Sequence, residues 1–343
     1  MTLHAIATSK MRADVTTAHR DFIQIARFLA IAKGTRTYAR DLAVAHGASR
    51  RVEGILTRAD PGALAPGGSP GWGADLGEYA IVAEAFVASL RNSGAYDRMA
   101  GDMISVPLRA RFAVSGTAVV GDATDEGAAK TVFDLAIDGD LLTPKKIAAI
   151  VVVTSDLLKL GGPAAERLLD RELRNAVVAG TDKSVLADLV AATTPVASSG
   201  NLLEDLSALL AAMSYGSDAR LYFIIRPEDV AQAATTQEVA GPAYPTLGIG
   251  GGSVAGVQVL VSDQLADGVA VLVDATQVLT GTTPLTLDAS GNAALYLQGE
   301  TLRSMFQQDE VALRSERMVA VHVLRDTAVA SLSGVAYSGG SPA

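Results

Sequence analysis

The chain has no cysteine among its 343 residues, which excludes disulfides, thiolate nucleophiles and cysteine-ligated metals. It has only four histidines, three of them within the first 46 residues, so few residues are available to form a histidine metal site. Aromatic residues make up 5% of the chain and apolar residues 49%, so Ala, Val and Leu must build most of any core. No apolar run approaches the roughly 18–20 residues that span a bilayer, and the first twenty residues lack the apolar centre of a signal peptide. These absences favour assembly in a reducing cytoplasm.

The net charge of −9 is unevenly distributed. Residues 1–60 carry ten Lys or Arg against five Asp or Glu, which gives +5 there and −14 in the remainder. A basic segment on an acidic body predicts contact with nucleic acid or with an acidic neighbour, and a solvated amphipathic helix is the alternative. The candidate residues facing DNA in the lumen of an assembly are Arg20, Arg27, Lys33, Arg36, Arg40, Arg50 and Arg51.

The stretch from Met103 to Asp138 has the period-two alternation of a long β-hairpin with a glycine-rich, acidic tip at Gly121–Gly127. We predict a register in which Phe112 faces Phe133. This register brings opposite charges together, with Arg111 opposite Asp134 and Arg109 diagonal to Asp138. An isolated two-stranded ribbon is at best marginally stable in water. The ribbon must therefore rest on its own domain or on a neighbouring copy of the chain.

The rest of the pattern predicts helices mixed with strands. Helices are predicted over 15–46, 79–91, 163–179 and 202–213, with a further one beginning near Pro227. Gly180 and Asp182 are expected to end the third of these helices. Strands are predicted over 147–153, 219–225, 257–261, 269–273, 310–314, 318–324 and 328–332, and the first of them, continuously apolar, is expected to be buried.

Motifs that carry catalysis are almost absent. The run Gly67–Gly71 fits the pattern of a nucleophile elbow but lies in a linker rich in helix and strand breakers. The run Gly250–Ala255 fits a loose dinucleotide fingerprint but precedes a strand, where no helix N-terminus receives a pyrophosphate. The acidic tip lacks the spacing of a calcium loop, and His322 alternates with valines in a strand. We therefore expect no catalytic residues, no metal and no cofactor.

The order of the elements resembles a known family. A helix containing Phe86–Arg91 precedes the hairpin, which carries Gly127–Asp134 on its return strand. Leu142–Ala149 and Val153–Leu158 then lead into the long helix, and Phe306–Arg314 opens the closing strands. This order, over about residues 79–335, resembles the major capsid protein of tailed bacteriophages, with the Hong Kong 97-type shell fold.

The resemblance implies an α+β fold divided among an arm, a peripheral domain, an extended loop and an axial domain. Its expected limits are 1–78 for the N-terminal arm and linker, 79–104 for the first peripheral helix, 105–141 for the extended loop, 142–199 for the peripheral domain with its spine helix, 200–295 for the axial domain and 296–343 for the peripheral strands and tail.

The extended loop would lie across the next subunit, with contact candidates Arg109, Arg111, Phe112, Lys130, Phe133 and Asp134. Lys130 falls where some relatives form a covalent cross-link to an asparagine, but no Asn follows Asn292, so we expect non-covalent locking. We also expect a short arm, and not an N-terminal segment removed by proteolysis.

The function that the resemblance implies is structural. Hexamers and pentamers would assemble in the host cytoplasm into an icosahedral virion capsid around double-stranded DNA, bound without sequence preference. Portal, scaffold and decoration proteins would be further partners, and no membrane would be involved. An encapsulin shell around a cargo enzyme is one alternative, and a soluble α/β enzyme that uses the Gly248–Gly252 loop is another.

Overall fold

The computed structural model describes residues 3–57, 83, 86, 94–115, 137–160, 162–238, 241–297 and 301–337. The chain divides into two compact units, each assembled from separate stretches. The limits of the first unit are Met1–Gly94, Lys146–Thr181 and Thr283–Met318, and those of the second are Ala95–Lys145, Asp182–Thr282 and Val319–Ala343.

The elements mix helices and strands throughout. The helices are α1 Leu3–Ile31, α2 Arg36–Ala45, α3 Arg50–Thr57, α4 Ala95–Met99, α5 Ser155–Leu160, α6 Gly162–Ala191, α7 Leu202–Ala212 and α8 Pro227–Ala234. The strands are β1 Ile104–Ser105, β2 Arg111–Ser115, β3 Ile137–Leu141, β4 Lys145–Thr154, β5 Val196–Ala197, β6 Leu221–Ile225, β7 Gln237–Glu238, β8 Gly241–Pro242, β9 Leu247–Gly248, β10 Gly251–Val254, β11 Val257–Val261, β12 Val269–Asp274, β13 Val278–Thr282, β14 Thr286–Ser290, β15 Ala294–Leu297, β16 Thr301–Ser304, β17 Glu310–Val323 and β18 Val329–Ser333.

Helix α1 supplies much of the core of the first unit. Phe22, Ile25 and Leu29 form an apolar stripe at three- and four-residue spacing along the helix, and all three are buried. Ile23 and Phe28, outside that stripe, are buried as well, so the helix is covered on more than one side. The alternative of a solvated amphipathic helix is therefore wrong for this part of α1. The same cluster includes Val52, Ile55 and Leu56 of α3 and Leu169, Leu173 and Val177 of α6.

The predicted helix over 15–46 is broken between α1 and α2 by a tight turn. Lys33 and Gly34 there have positive φ angles of 51° and 87°. A Cβ atom added to Gly34 would lie 2.3 Å from the carbonyl oxygen of Ala289. Only glycine allows this close approach in this conformation, so the turn attaches the end of α1 to β14.

The sheet of the first unit is built on β17, which is one strand where the sequence predicts two. Strand β14 pairs antiparallel with residues 312–316 of β17, and β4 also pairs with β17. Arg314 and Glu316 point out of the sheet, while Leu313 and Ser315 are buried. The charged residues therefore lie on one face of β17, and the strand continues through them. Strand β4 is not buried as predicted: its burial alternates, Val153 is covered and Ile150 is 49% exposed.

Helix α6 is 30 residues long, and at 1.5 Å per residue it spans roughly 45 Å. The predicted end at Gly180 and Asp182 is wrong, because both residues serve contacts made by a continuing helix. In the first unit, a Cβ on Gly180 would lie 2.9 Å from a side-chain methyl of Ile147. In the second unit, the Asp182 carboxylate accepts hydrogen bonds from other segments.

The second unit contains a seven-stranded sheet in the order β5-β18-β12-β6-β11-β10-β9. The pairs β5–β18 and β6–β11 are parallel, and the others are antiparallel. Strand β12, which lies between β18 and β6, is fully buried from Ala270 to Val273. Helices α7 and α8 contribute Leu206, Leu209 and Val230 to the same core. The predictions of α7, β6, the start of α8, β11 and β12 are confirmed to within two residues.

The glycine-rich loop predicted over 248–253 is a strand pair, in which β10 runs antiparallel to both β9 and β11. Gly252 has a φ of 151°, and a Cβ on it would lie 2.1 Å from the carbonyl oxygen of Thr246. These glycines therefore permit close backbone packing and do not cradle a phosphate. No helix follows them, so the enzyme alternative loses its candidate site.

Candidate assembly surfaces

The base of the extended hairpin is clamped within the second unit. The Arg109 amide donates to the Leu142 carbonyl oxygen at 3.1 Å, and the Leu142 amide donates to that of Ala110 at 3.2 Å. Leu142 is 1% exposed, and a Cβ on Gly281 would lie 3.1 Å from its side chain and 2.8 Å from that of Leu108. The hairpin therefore has a tightly packed base.

The register of the hairpin differs from the prediction. Strand β2 pairs antiparallel with β3, which sets Phe112 opposite Asp140 and Arg111 opposite Leu141. The prediction that Phe112 pairs with Phe133 and Arg111 with Asp134 is therefore wrong. Cross-strand charge pairs contribute only about 0.2–1 kcal/mol, whereas the buried Leu142 immediately after β3 determines where the return strand must end. Packing at the base of the hairpin therefore determines its register.

The predicted contact residues of the hairpin lie at different places. Arg109 is exposed, in a turn with a positive φ of 62°. Arg111 and Phe112 lie on β2, and Lys130, Phe133 and Asp134 lie outside the described residues. Their role in contacts between subunits stays a prediction.

Two of the predicted DNA-facing residues, Arg27 and Lys33, are less than fully exposed and form ion pairs within the first unit. Arg27 is 8% exposed; its Nη1 lies 2.9 Å from Glu166 Oε1, and its Nε donates to the carbonyl oxygen of Leu158 at 3.4 Å. The prediction of a lumen-facing Arg27 is therefore wrong. Lys33 Nζ lies 3.1 Å from Asp309 Oδ1 and is only partly available.

The remaining basic candidates are exposed on the first three helices. Arg51 Nη1 lies 3.7 Å from Asp21 Oδ2, and Ser49 Oγ donates to the other oxygen of Asp21 at 3.0 Å. Burial raises the pKa of Asp21, and these two neighbours oppose that effect only in part. Exposed Tyr38 lies on α2 between two of the candidate arginines. The exposed candidates are Arg20, Arg36, Arg40, Arg50 and Arg51.

Helices α1 and α6 are joined by a polar seam that the sequence does not reveal. His19 Nε2 and Arg174 Nη2 lie 2.9 Å and 3.1 Å from Asp170 Oδ1. The rings of His19 and Phe86 are 5.5 Å apart, and the Arg174 guanidinium lies 5.9 Å from the Phe86 ring centre. Burial acts to raise the pKa of Asp170, but the bonds and charges of its two partners outweigh it and lower the pKa. Asp170 and Arg174 of α6 therefore face α1.

Asp182 connects three segments of the second unit. Its Oδ2 accepts the Ala95 amide at 2.9 Å and the Ser262 hydroxyl at 2.9 Å, and its Oδ1 accepts the Tyr96 amide at 3.0 Å. Burial raises the pKa of Asp182, the three hydrogen bonds oppose it, and the nearby charge of Asp97 adds to the rise. A residue predicted to end a helix is instead an anchor for the start of α4.

The described residues hold no group of three or more His, Asp or Glu side chains able to bind a metal ion. His322 lies on β17 opposite Leu279 of β13, in a paired strand as the sequence predicts. No helix in the described part of the chain is long and apolar enough to cross a membrane. The Gly67–Gly71 run and the acidic hairpin tip lie outside the described residues.

No protein-family model matches the chain. A protein named capsid polyprotein, of Pseudomonas phage PAJU2, is 27% identical over 321 residues, which cover 82% of this chain and 48% of that protein. The chain thus spans about half the length of this curated relative. A solved chain of Gordonia phage Cozz superimposes with a TM-score of 0.52 at 14% identity, covering 69% of this chain and 86% of that one.

The chain has the Hong Kong 97-type capsid fold. The resemblance and the α+β class predicted from the sequence are confirmed. A capsid of a native GTA particle is also similar, with a TM-score of 0.47 and 14% identity over 73% of this chain and 91% of that one. The limits of the arm, loop, peripheral and axial domains stay predictions.

Proposed function

We propose that the chain is a structural subunit of a phage capsid and assembles with copies of itself into hexamers and pentamers of an icosahedral shell. The observation that carries the proposal is the capsid fold, together with 27% identity over 82% of the chain to a phage capsid polyprotein. The chain would act as a building block without catalysis. The shell would enclose double-stranded DNA, assemble in the host cytoplasm, and engage a portal and any scaffold or decoration proteins.

The extended hairpin would lie across the next subunit. Its base is fixed within the second unit, but its two strands, β2 and β3, pair only with each other among the described residues. A ribbon of this kind is marginally stable until a further surface covers it. Contacts of the obligate class bury on the order of 2,000–5,000 Å², and an element that reaches a neighbour provides such an area.

Electron microscopy and sedimentation of the expressed protein test the proposal. We expect closed shells of megadalton mass, whereas a monomer or small oligomer under every assembly condition would refute it. Particle contents then separate the two shell functions. DNA of fixed length supports the phage capsid, and a protein cargo would support the encapsulin alternative.

The exposed arginines of the first three helices would face the DNA, as a basic surface next to a polyanion gains from counterion release. Deleting residues 1–60 cannot test this role, because α1 and α3 supply the core of the first unit. Substitution of Arg20, Arg36, Arg40 and Arg50 by Gln removes charge and keeps the core. We expect less DNA per particle, with Arg171→Gln, at an exposed residue of α6, as the control. Unchanged DNA content would contradict a DNA-facing role.

A further inference from the structure

One face of the sheet in the first unit presents an apolar row beside alternating charges. On β4, Ala148 and Ile150 are exposed, the latter at 49%, and Val152 is half-buried. Met318 of β17 is 39% exposed. The alternate residues of both strands point into the core, so this side of the sheet is the outer one. An apolar row of this length is more typical of a contact surface than of a free surface.

The charges of this face form a continuous ladder. Lys146 Nζ lies 2.8 Å from Glu316 Oε2, and Arg314 Nη1 lies 3.4 Å from Glu316 Oε1. Arg314 Nη2 lies 2.8 Å from Asp288 Oδ2, with Asp288 directly opposite on β14. Positive and negative groups therefore alternate from β4 across β17 to β14, and the pairs leave no net charge on the face.

Arg314 and Glu316 are two residues apart on one strand, so they are neighbours on the same face. A second copy laid face to face, with its β17 antiparallel to the first, would place its Glu316 over Arg314 and its Arg314 over Glu316. The same two-fold axis, perpendicular to the strands, would place the apolar row of β4 on its own copy. The pattern is thus complementary to itself, which is the requirement for an isologous contact.

We propose that this outer face, composed of Ala148, Ile150, Val152 and Met318 beside the pair Arg314 and Glu316, is a two-fold contact between copies of the chain. The proposal rests on the proposed function and deepens it, because it names one surface that the shell uses. The apolar row would supply most of the affinity, and the charges would set the antiparallel orientation.

Two single variants of opposite sign test the two-fold geometry. Glu316→Arg makes the pair doubly positive and Arg314→Glu makes it doubly negative, so each variant repels its own copy and attracts the other. We expect each variant alone to need a roughly tenfold higher concentration to form particles in light scattering and sedimentation. An equimolar mixture should form particles within about twofold of the wild-type concentration. A variant that simply misfolded could not be rescued by a partner that carries a different change.

The apolar row has its own test and a matched control. Ile150→Asp should raise the assembly concentration roughly tenfold, since it places a charge at the centre of the contact. Leu160→Asp, at a residue 85% exposed at the end of α5, also places a charge on an exposed apolar side chain of the first unit and should leave assembly unchanged. Thermal unfolding of the unassembled variants reports whether the fold is intact.

The outcomes separate this inference from the function on which it rests. If the wild type forms shells and all variants do so at its concentration, the two-fold contact is refuted and the capsid function stands. If Ile150→Asp blocks assembly but the charge variants do not rescue each other, another segment or another protein covers the face, and the two-fold contact is again refuted. If the wild type forms no particles, both fail.

Discussion

Replacement of Asp182 by Ala should destabilise the second unit strongly. The carboxylate accepts two backbone amides, of Ala95 and Tyr96, and the hydroxyl of Ser262, all at 2.9–3.0 Å. A buried donor left without an acceptor costs about 1–3 kcal/mol, and the release of a buried carboxylate offsets part of that loss. We expect a net loss of roughly 3 kcal/mol, concentrated where the start of α4 meets α6.

Hydrogen exchange of the amides of Ala95 and Tyr96 is the direct assay, because it reports opening at this place and does not require two-state unfolding of the whole chain. A loss of about 3 kcal/mol accelerates exchange on the order of a hundredfold. Asp188→Ala is the matched control on the same helix, since Asp188 makes an exposed ion pair with Lys145 worth at most about 1 kcal/mol. Equal exchange in the two variants would refute the anchoring role of Asp182.

The pH dependence of Asp182 provides a second measurement of the same site. Its pKa is raised above the ordinary value of 3.8, so the folded state holds this proton at pH values where the unfolded state has released it. The stability that the group contributes is therefore fully present below pH of about 4 and declines as pH rises through the raised pKa. The advantage of the wild type over Asp182→Asn should be greatest at acidic pH. An advantage that grows toward neutral pH would contradict the raised pKa.

Three further changes have predicted outcomes. Phe22→Ala removes a fully buried ring that stacks on Phe86 at 4.7 Å, and should lower the free energy of unfolding by about 3–5 kcal/mol in urea titrations. Gly281→Ala places a Cβ 2.9 Å from a backbone carbonyl oxygen at the hairpin base; we expect a cost of about 1–3 kcal/mol and faster proteolysis of the hairpin, and an unchanged digestion pattern would contradict the clamp. Asp170→Asn removes a carboxylate whose pKa is lowered, so the wild type's advantage in thermal unfolding should be present above pH of about 4 and vanish on acidification.

The regular elements of the second unit could be predicted because their patterns are local. Helix α7 has its apolar spacing and an Asn201 cap, whose side chain accepts the Leu203 amide. Strand β6 is a short apolar run that ends at the Arg226–Pro227 boundary, and Pro227 is the first residue of α8. In these places the local preference and the tertiary structure agree.

The predictions from sequence fail where a contact between residues far apart in the chain determines the local structure. In the sequence, Gly180 resembles a helix end. In the structure the helix continues, and the missing side chain of Gly180 leaves room for Ile147 to pack against it. The apolar run of β4 looks buried, but its outer face is open within a single chain. Charge pairs predict one register for the hairpin, whereas packing of Leu142 at the base determines another. None of these neighbours lies close in the sequence.

The candidate surfaces were predictable in part. Of the seven basic candidates that the charge pattern selects, five are exposed and lie on the first three helices. Arg27 is an exception, because its partner Glu166 lies 139 residues away and gives no local sign of the pairing. The charge ladder was missed for the same reason, since Lys146, Asp288 and Arg314 belong to three separate stretches of the chain.

The turn at Gly34 has a consequence for genetics. A methyl group at this position would meet a carbonyl oxygen of β14 at 2.3 Å, in a conformation that side chains already disfavour. If the chain serves as the capsid subunit proposed above, a phage carrying alanine there should grow at low temperature and lose viability on warming. Second-site revertants of such an allele should map to residues 286–291, far away in the gene yet adjacent to the lesion in space.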